Sequence, residues 1–209
     1  MIDNFEFNIN GDDVDIELTI SGEINGYKYA DLGLPSRIKW ATHNVTLGGQ
    51  VSPFDYATYY EWGEPLYPRD RTKYYKSMKK YKKEKKKIGD IYYNIQYDVA
   101  RFNWGGTWRL PTKTEMQELM YLCKWSWTIV GKSKGYKITG PNGNSIFLPA
   151  AGYCYDDFTG FGFGNNGRYW TSTPNHEREE AFILSFGEEG YSIDSFPYNW
   201  ELSVRPVSY

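Results

Sequence analysis

The 209 residues carry 24 Lys and Arg against 26 Asp and Glu, a net charge of -2, and 19% of them are aromatic, with 20 Tyr and 8 Trp. That length suits one domain with a real core, and the charge balance excludes a broadly basic nucleic-acid binder. No stretch approaches the ~18 apolar residues of a membrane-spanning helix, and 2 Cys are too few for a disulfide scaffold.

Residues 5 to 20 read as a β-hairpin, since Phe5, Phe7 and Ile9, then Val14, Ile16, Leu18 and Ile20, alternate with polar residues. A turn at Asn10-Gly11 places Phe7 opposite Val14 and Phe5 opposite Ile16. The hairpin is acidic and has one apolar face to bury, on its own domain or on another subunit, so residues 1–26 form an extension open to homo-oligomer contact. Strands follow around 27–31 and 38–42. Ser52-Pro53 reads as a cap and first-turn proline opening a short helix to about Tyr60. Thr112 with Glu115 forms a capping box for a second helix, in which Met116, Leu119, Met120 and Cys123 share a face. Short strands near 136–139, 145–149, 168–172, 181–186 and 202–207 are separated by Gly, Asn and Pro clusters.

Between the two predicted helices lies a biased segment. Nine lysines from Lys73 to Lys87 stand against Glu84 alone, a local charge of +8 that leaves -10 for the rest of the chain. This marks an insertion at about 66–98. Tyr74, Met78 and Tyr81 fall at helical spacing within it. Lys79, Lys80, Lys82, Lys83, Lys85, Lys86 and Lys87 are the residues expected to hold an anionic partner, an acidic protein or polysaccharide surface, by an attraction that salt weakens. The run lacks the arginines of a specific nucleic-acid site.

Five blocks carry a family resemblance: Asp31-Leu32-Gly33-Leu34-Pro35-Ser36 with Lys39-Trp40-Ala41-Thr42; Trp104 to Thr112; Gly140 to Tyr153; Tyr169 to Pro174; and Ser203-Val204-Arg205-Pro206-Val207. Together they resemble the Fibrobacter succinogenes major paralogous domain family of gut Bacteroidota and their phages, across roughly residues 27 to 207. The resemblance implies an α+β, C-type lectin-like domain over 27–209, with two helices, a curled antiparallel sheet and adjacent chain ends. It implies no chemistry, because a fold does not dictate an activity. It also implies a place outside the cytoplasm, on a virion or a bacterial cell surface. Met1 to Glu6 show neither the basic end nor the apolar stretch of a secretory signal, which fits a processed chain or release by lysis.

Within that frame the expected function is non-enzymatic recognition or display, with a glycan or surface protein receptor as partner. The face expected to carry it runs from Asp156 to Glu201, where Phe158, Phe161, Tyr169, Asn175, His176, Arg178, Tyr191, Tyr198, Asn199 and Trp200 are the candidate ligand-binding residues. Gly160 to Gly164 also reads as a turn packed by its own rings. No catalytic residue, metal or cofactor is expected. Glu64-Pro65-Leu66 and Tyr198-Asn199-Trp200-Glu201 depart from the calcium-binding tripeptides of animal C-type lectins. His43 and His176 are the only histidines and read as ordinary polar residues. Cys123 and Cys154 read as buried free thiols and lack the close pairing of the formylglycine-generating oxidases. Two acids of a glycosidase need no fixed spacing along a chain, so their absence has no signature to read. Arg109 and Arg205 read as structural ties, with Glu61 and Glu64 as candidate partners. The competing expectation is a structural virion or assembly protein whose loops contact other subunits.

Overall fold

Strands alternate their side chains between two faces, and a sheet covered on both faces must be apolar on both. The strands β12 (Asn166–Asn175), β13 (Glu180–Gly187) and β14 (Gly190–Pro197) meet that condition at the centre of this α+β chain. They form one antiparallel sheet in which Tyr169 pairs with Leu184 and Leu184 with Ile193, while Trp170 pairs with Ile183. Tyr169, Leu184, Phe186 and Ile193 enter one core. Trp170, Ala181, Ile183 and Phe196, on the opposite face, enter another. The computed structural model describes residues 18–48, 52–64, 88–155 and 159–209, with the backbone of residues 4–5.

The first core is closed by the helix α2 (Lys113–Leu122) and by the sheet of β7 (Lys124–Val130), β8 (Ser133–Thr139) and β9 (Ser145–Pro149). Thr112 accepts from the Glu115 backbone and Glu115 reaches back to Thr112, the capping box expected from sequence. The second core receives the helix α1 (Val99–Trp104), which the sequence reading missed. Asp98 organises it: one carboxylate oxygen accepts from the Ala100 and Arg101 backbones, the other from those of Tyr93 and Leu110. Burial pushes the Asp98 carboxyl up to about 6, against the pull of these four donors. Gly105, at φ 64, ends the helix.

The remaining strands are β1 (Asn4–Phe5), β2 (Leu18–Thr19), β3 (Gly22–Ile24), β4 (Tyr27–Asp31), β5 (Lys39–Ala41), β6 (Tyr60–Glu61), β10 (Tyr153–Tyr155), β11 (Thr159–Phe161), β15 (Glu201–Leu202) and β16 (Val207–Ser208). Sheet order β16-β5-β4-β3 brings the end of the chain beside its early strands, as expected. Phe5 pairs with Leu18 and not with Ile16, a two-residue difference in register that leaves an alternating pattern intact and is therefore invisible to it. Leu18 packs with Phe54, Val130 and Phe147 of the same domain. Residues 6–17, and with them the expected turn and the Phe7 and Val14 pairing, lie outside the described residues.

No helix forms after Ser52-Pro53. Ser52 does cap a turn, accepting from Phe54 and donating its own N–H to Asp55, but Ala57 sits at φ 65 and the chain runs extended into β6. Pro53 and a capping serine fix one turn only; continuing it needs an apolar face that the next residues do not repeat. Ile91 and Asp98, at the end of the expected insertion, are both fully buried, so 88–98 belongs to the domain body. Residues 65–87 lie outside the described residues, the lysine run included. Cys123 and Cys154 form no disulfide and are half-buried, a little more open than expected.

A candidate ligand-binding face

The candidate face is built on the sheet of order β11-β10-β15-β6. Tyr153 pairs with Phe161 and Cys154 with Glu201, so Trp200 follows beside Tyr155. Alternation then puts Tyr153, Tyr155, Phe161 and Trp200 on one side and Cys154, Glu201 and Glu61 on the other. Trp200 lies 5.5 Å from Tyr153, 4.9 Å from Tyr155, 5.9 Å from Phe161 and 5.2 Å from Phe196, ring centre to ring centre. Tyr155 and Phe161 are 37% and 38% exposed, which leaves these rings open to a partner.

Arg168 joins this cluster from the central sheet. Its guanidinium lies 3.9 Å from the Tyr153 ring centre and 4.2 Å from that of Phe196, in the corner made by two rings at 78° to each other. Nε and Nη1 are buried with no hydrogen-bond partner among the described residues. Burial pulls its pKa down, opposed by Tyr153 and Asp194. Arg168, Ser185, Ser192 and Asp194 share one face of the β12-β13-β14 sheet, and Ser192 donates to Asp194 at 2.8 Å. Open rings beside a donor-only guanidinium and an acceptor-only carboxylate can cover the apolar face of a ring-shaped ligand and bond its polar edge.

The expected face is therefore broken up. Phe161 and Trp200 belong to it, and Asn199 is half-buried beside Trp200 in the chain. Tyr169 does not: it is fully buried, donates to the Pro149 carbonyl at 2.7 Å and accepts from Asn44. Tyr198 is 8% exposed and stacks on Trp62 at 4.6 Å in the second core. Tyr169 sits at the inward phase of its strand and Tyr198 turns inward just after β14, and residue type alone had made them surface candidates. Tyr191 is exposed but lies elsewhere, stacked on Trp125 at 4.2 Å. His176 and Arg178 are exposed in the β12–β13 turn, and Asn175 beside them donates to Ser195. Phe158 lies outside the described residues, as do Asp156, Asp157 and Lys79 to Lys87. Phe163 covers Gly160, where a Cβ would sit 2.1 Å from its ring, so this part of the glycine-rich run is packed on the side away from Trp200.

Sequence reasoning missed Tyr153, Tyr155, Phe196 and Arg168. The alternation of Ser192, Asp194 and Phe196 against Tyr191, Ile193 and Ser195 was a usable signal for Phe196, because β14 was not recognised as a strand.

The structural arginines have other partners than Glu61 and Glu64. Arg109 forms a two-bond pair with Glu115, at 2.8 and 2.5 Å. Arg205, fully buried, donates to Asn44 Oδ1 at 2.9 Å and to the carbonyls of Ala41, Thr42 and Phe147 at 3.1, 3.2 and 2.9 Å. His43 is also buried: Nδ1 donates to the Asn44 carbonyl, and desolvation holds its pKa below the ordinary value. Glu61 and Glu201 stand opposite each other in register, both buried. Among the described residues no three His, Cys, Asp or Glu side chains gather in a metal-holding group, and no helix is long and apolar enough to cross a membrane.

A scan against protein-family models gives no match for this chain, and neither do searches of curated proteins and of solved structures.

Proposed function

We propose that this chain is a non-enzymatic recognition or display domain of C-type lectin-like fold, akin to the Fibrobacter succinogenes major paralogous domain family. It binds a surface glycan, or a protein receptor, outside the cytoplasm on a phage particle or bacterial cell surface. The observation that carries the reading is Trp200 with Tyr153, Tyr155 and Phe161 on one sheet face and Phe196 of the central sheet packed beside it. Clustered exposed rings mark interaction sites, and a sheet beneath them limits the entropy lost on binding. The test is a bacterial polysaccharide array at physiological salt, with the intact chain, a Phe161→Ala/Trp200→Ala variant and a variant with the lysine run neutralised. Saturable binding that falls at least ~10-fold in the aromatic variant, about 1.4 kcal/mol, with its melting temperature kept, is expected. A folded protein that binds nothing on the array, or a variant that binds equally well, refutes the glycan reading.

A second reading, an assembly protein contacting other subunits, is favoured by exposed apolar residues at two other places: Tyr121 and Leu122 at the end of α2, 74% and 46% exposed, and Ile129 near the far end of β7, 51% exposed. Concentration-dependent oligomers weakened by Tyr121→Ser and Ile129→Ser support it.

A further inference from the structure

Resting on the glycan-binding reading, Arg168 narrows the ligand class: we infer that the face around Trp200 takes an acidic saccharide, its carboxylate seated on the guanidinium of Arg168. Three observations converge on this.

The first is the unpaired state of the group. A guanidinium carries five N–H donors and no acceptor. Among the described residues none accepts from Arg168, whereas Arg205 donates from Nε, Nη1 and Nη2, and Arg109 pairs with Glu115 through both Nη1 and Nη2 and leaves only its Nε without a partner. A buried unsatisfied donor costs on the order of 1–3 kcal/mol, more when charged, so a bound acceptor recovers free energy here that it would not recover on a solvated side chain.

The second is geometry. Tyr153 and Phe196 border the guanidinium at 3.9 and 4.2 Å with their rings set at 78° to each other, a corner that restricts its orientation before any ligand arrives. A planar fork held in place favours a planar, two-oxygen acceptor over a single hydroxyl. Nη2 lies outside the buried, unpartnered set, and no described residue accepts from it, so it is the edge at which the carboxylate enters.

The third is the surroundings. Phe161 and Trp200, in contact with the Tyr153 ring, and Tyr155 beside Trp200 offer stacking area for the apolar face of a sugar ring. Asp194 lies on the same sheet face as Arg168 without pairing to it, and its oxygen is engaged by Ser192. Asp194 accepts from hydroxyls of the same sugar while Arg168 takes the acid. A free carboxylate such as acetate lacks the stacked ring and binds far more weakly.

The experiment uses the full chain and a panel of polyuronates and sialylated glycans, each beside its carboxyl-reduced, neutral counterpart, with binding read by calorimetry and tryptophan fluorescence. Acidic forms should bind at least ~10-fold tighter than their reduced partners. Arg168→Gln should erase that ratio, and Trp200→Ala should weaken both forms together. The Arg168 Nε–H resonance, monitored by NMR, should shift with the acidic ligand only, a readout that does not depend on any variant folding. Equal binding of acidic and reduced forms overturns the inference and leaves the glycan reading standing. Binding of neither form by the folded protein overturns both.

Discussion

Arg205 and Arg168 are two desolvated arginines in different regions, and their surroundings differ in one respect. Around Arg205, the oxygens of Ala41, Thr42, Asn44 and Phe147 meet the guanidinium from separate segments of chain. Around Arg168 there are two ring faces and no acceptor among the described residues. Burial pulls Arg205 down to about 10, so it stays charged at neutral pH. A fully bonded buried charge holds loops together; a charge without acceptors among the described residues keeps spare bonding capacity. The comparison breaks most visibly at Arg205. Arg205→Met strips four oxygens of their donor and should cost about 4 kcal/mol, read as a shift of the urea unfolding midpoint. A loss under about 1 kcal/mol would mean that water replaces the guanidinium and that the tie is dispensable.

Much of the frame was legible because it is local. Thr112 and Glu115 announce a helix start within four residues, and the strands at 27–31, 145–149 and 181–186 alternate or run apolar as buried strands do. Failures arose where local and tertiary signals part. Ser52-Pro53 is a good cap with no helix behind it, while Asp98, an equally good cap, was passed over inside a segment read as insertion. Tyr169 and Tyr198 look like recognition residues by type and are core by placement, one on the inward phase of β12 and the other in the turn after β14. The ring cluster around Trp200 draws on β10, β11 and β14 and the turn before β15, and no spacing along the chain reveals that these meet. Arg168 had no signal at all, because what distinguishes it is the missing acceptor.

His43 sharpens the same contrast with pH. Its Nδ1 donates to Asn44, the residue that also accepts from Arg205, and Nε2 is buried without a partner. Desolvation lowers its folded pKa below 6.5, with the Arg205 charge adding to the effect. The unfolded chain therefore takes up the proton first, and stability present above pH 6.5 is lost as pH falls through that value. The urea midpoint should decline between pH 7 and pH 5, and His43→Leu should flatten that slope even if it lowers the midpoint throughout. An unchanged slope in the variant would place the acid sensitivity elsewhere.

The smallest expected effect is the most diagnostic. Arg168→Met keeps much of the apolar stem between Tyr153 and Phe196 and removes donors that have no acceptor, so the unfolding free energy should change by no more than about 0.5 kcal/mol, or rise. Side chains retained for stability do not behave this way. If the same variant melts several degrees lower, the two stacked faces are holding the sheet together through the guanidinium, and Arg168 is a second structural tie like Arg205. If it melts unchanged and loses the acidic ligand, stability and binding separate at one residue, as expected of a charge kept for what it meets and not for what it packs against.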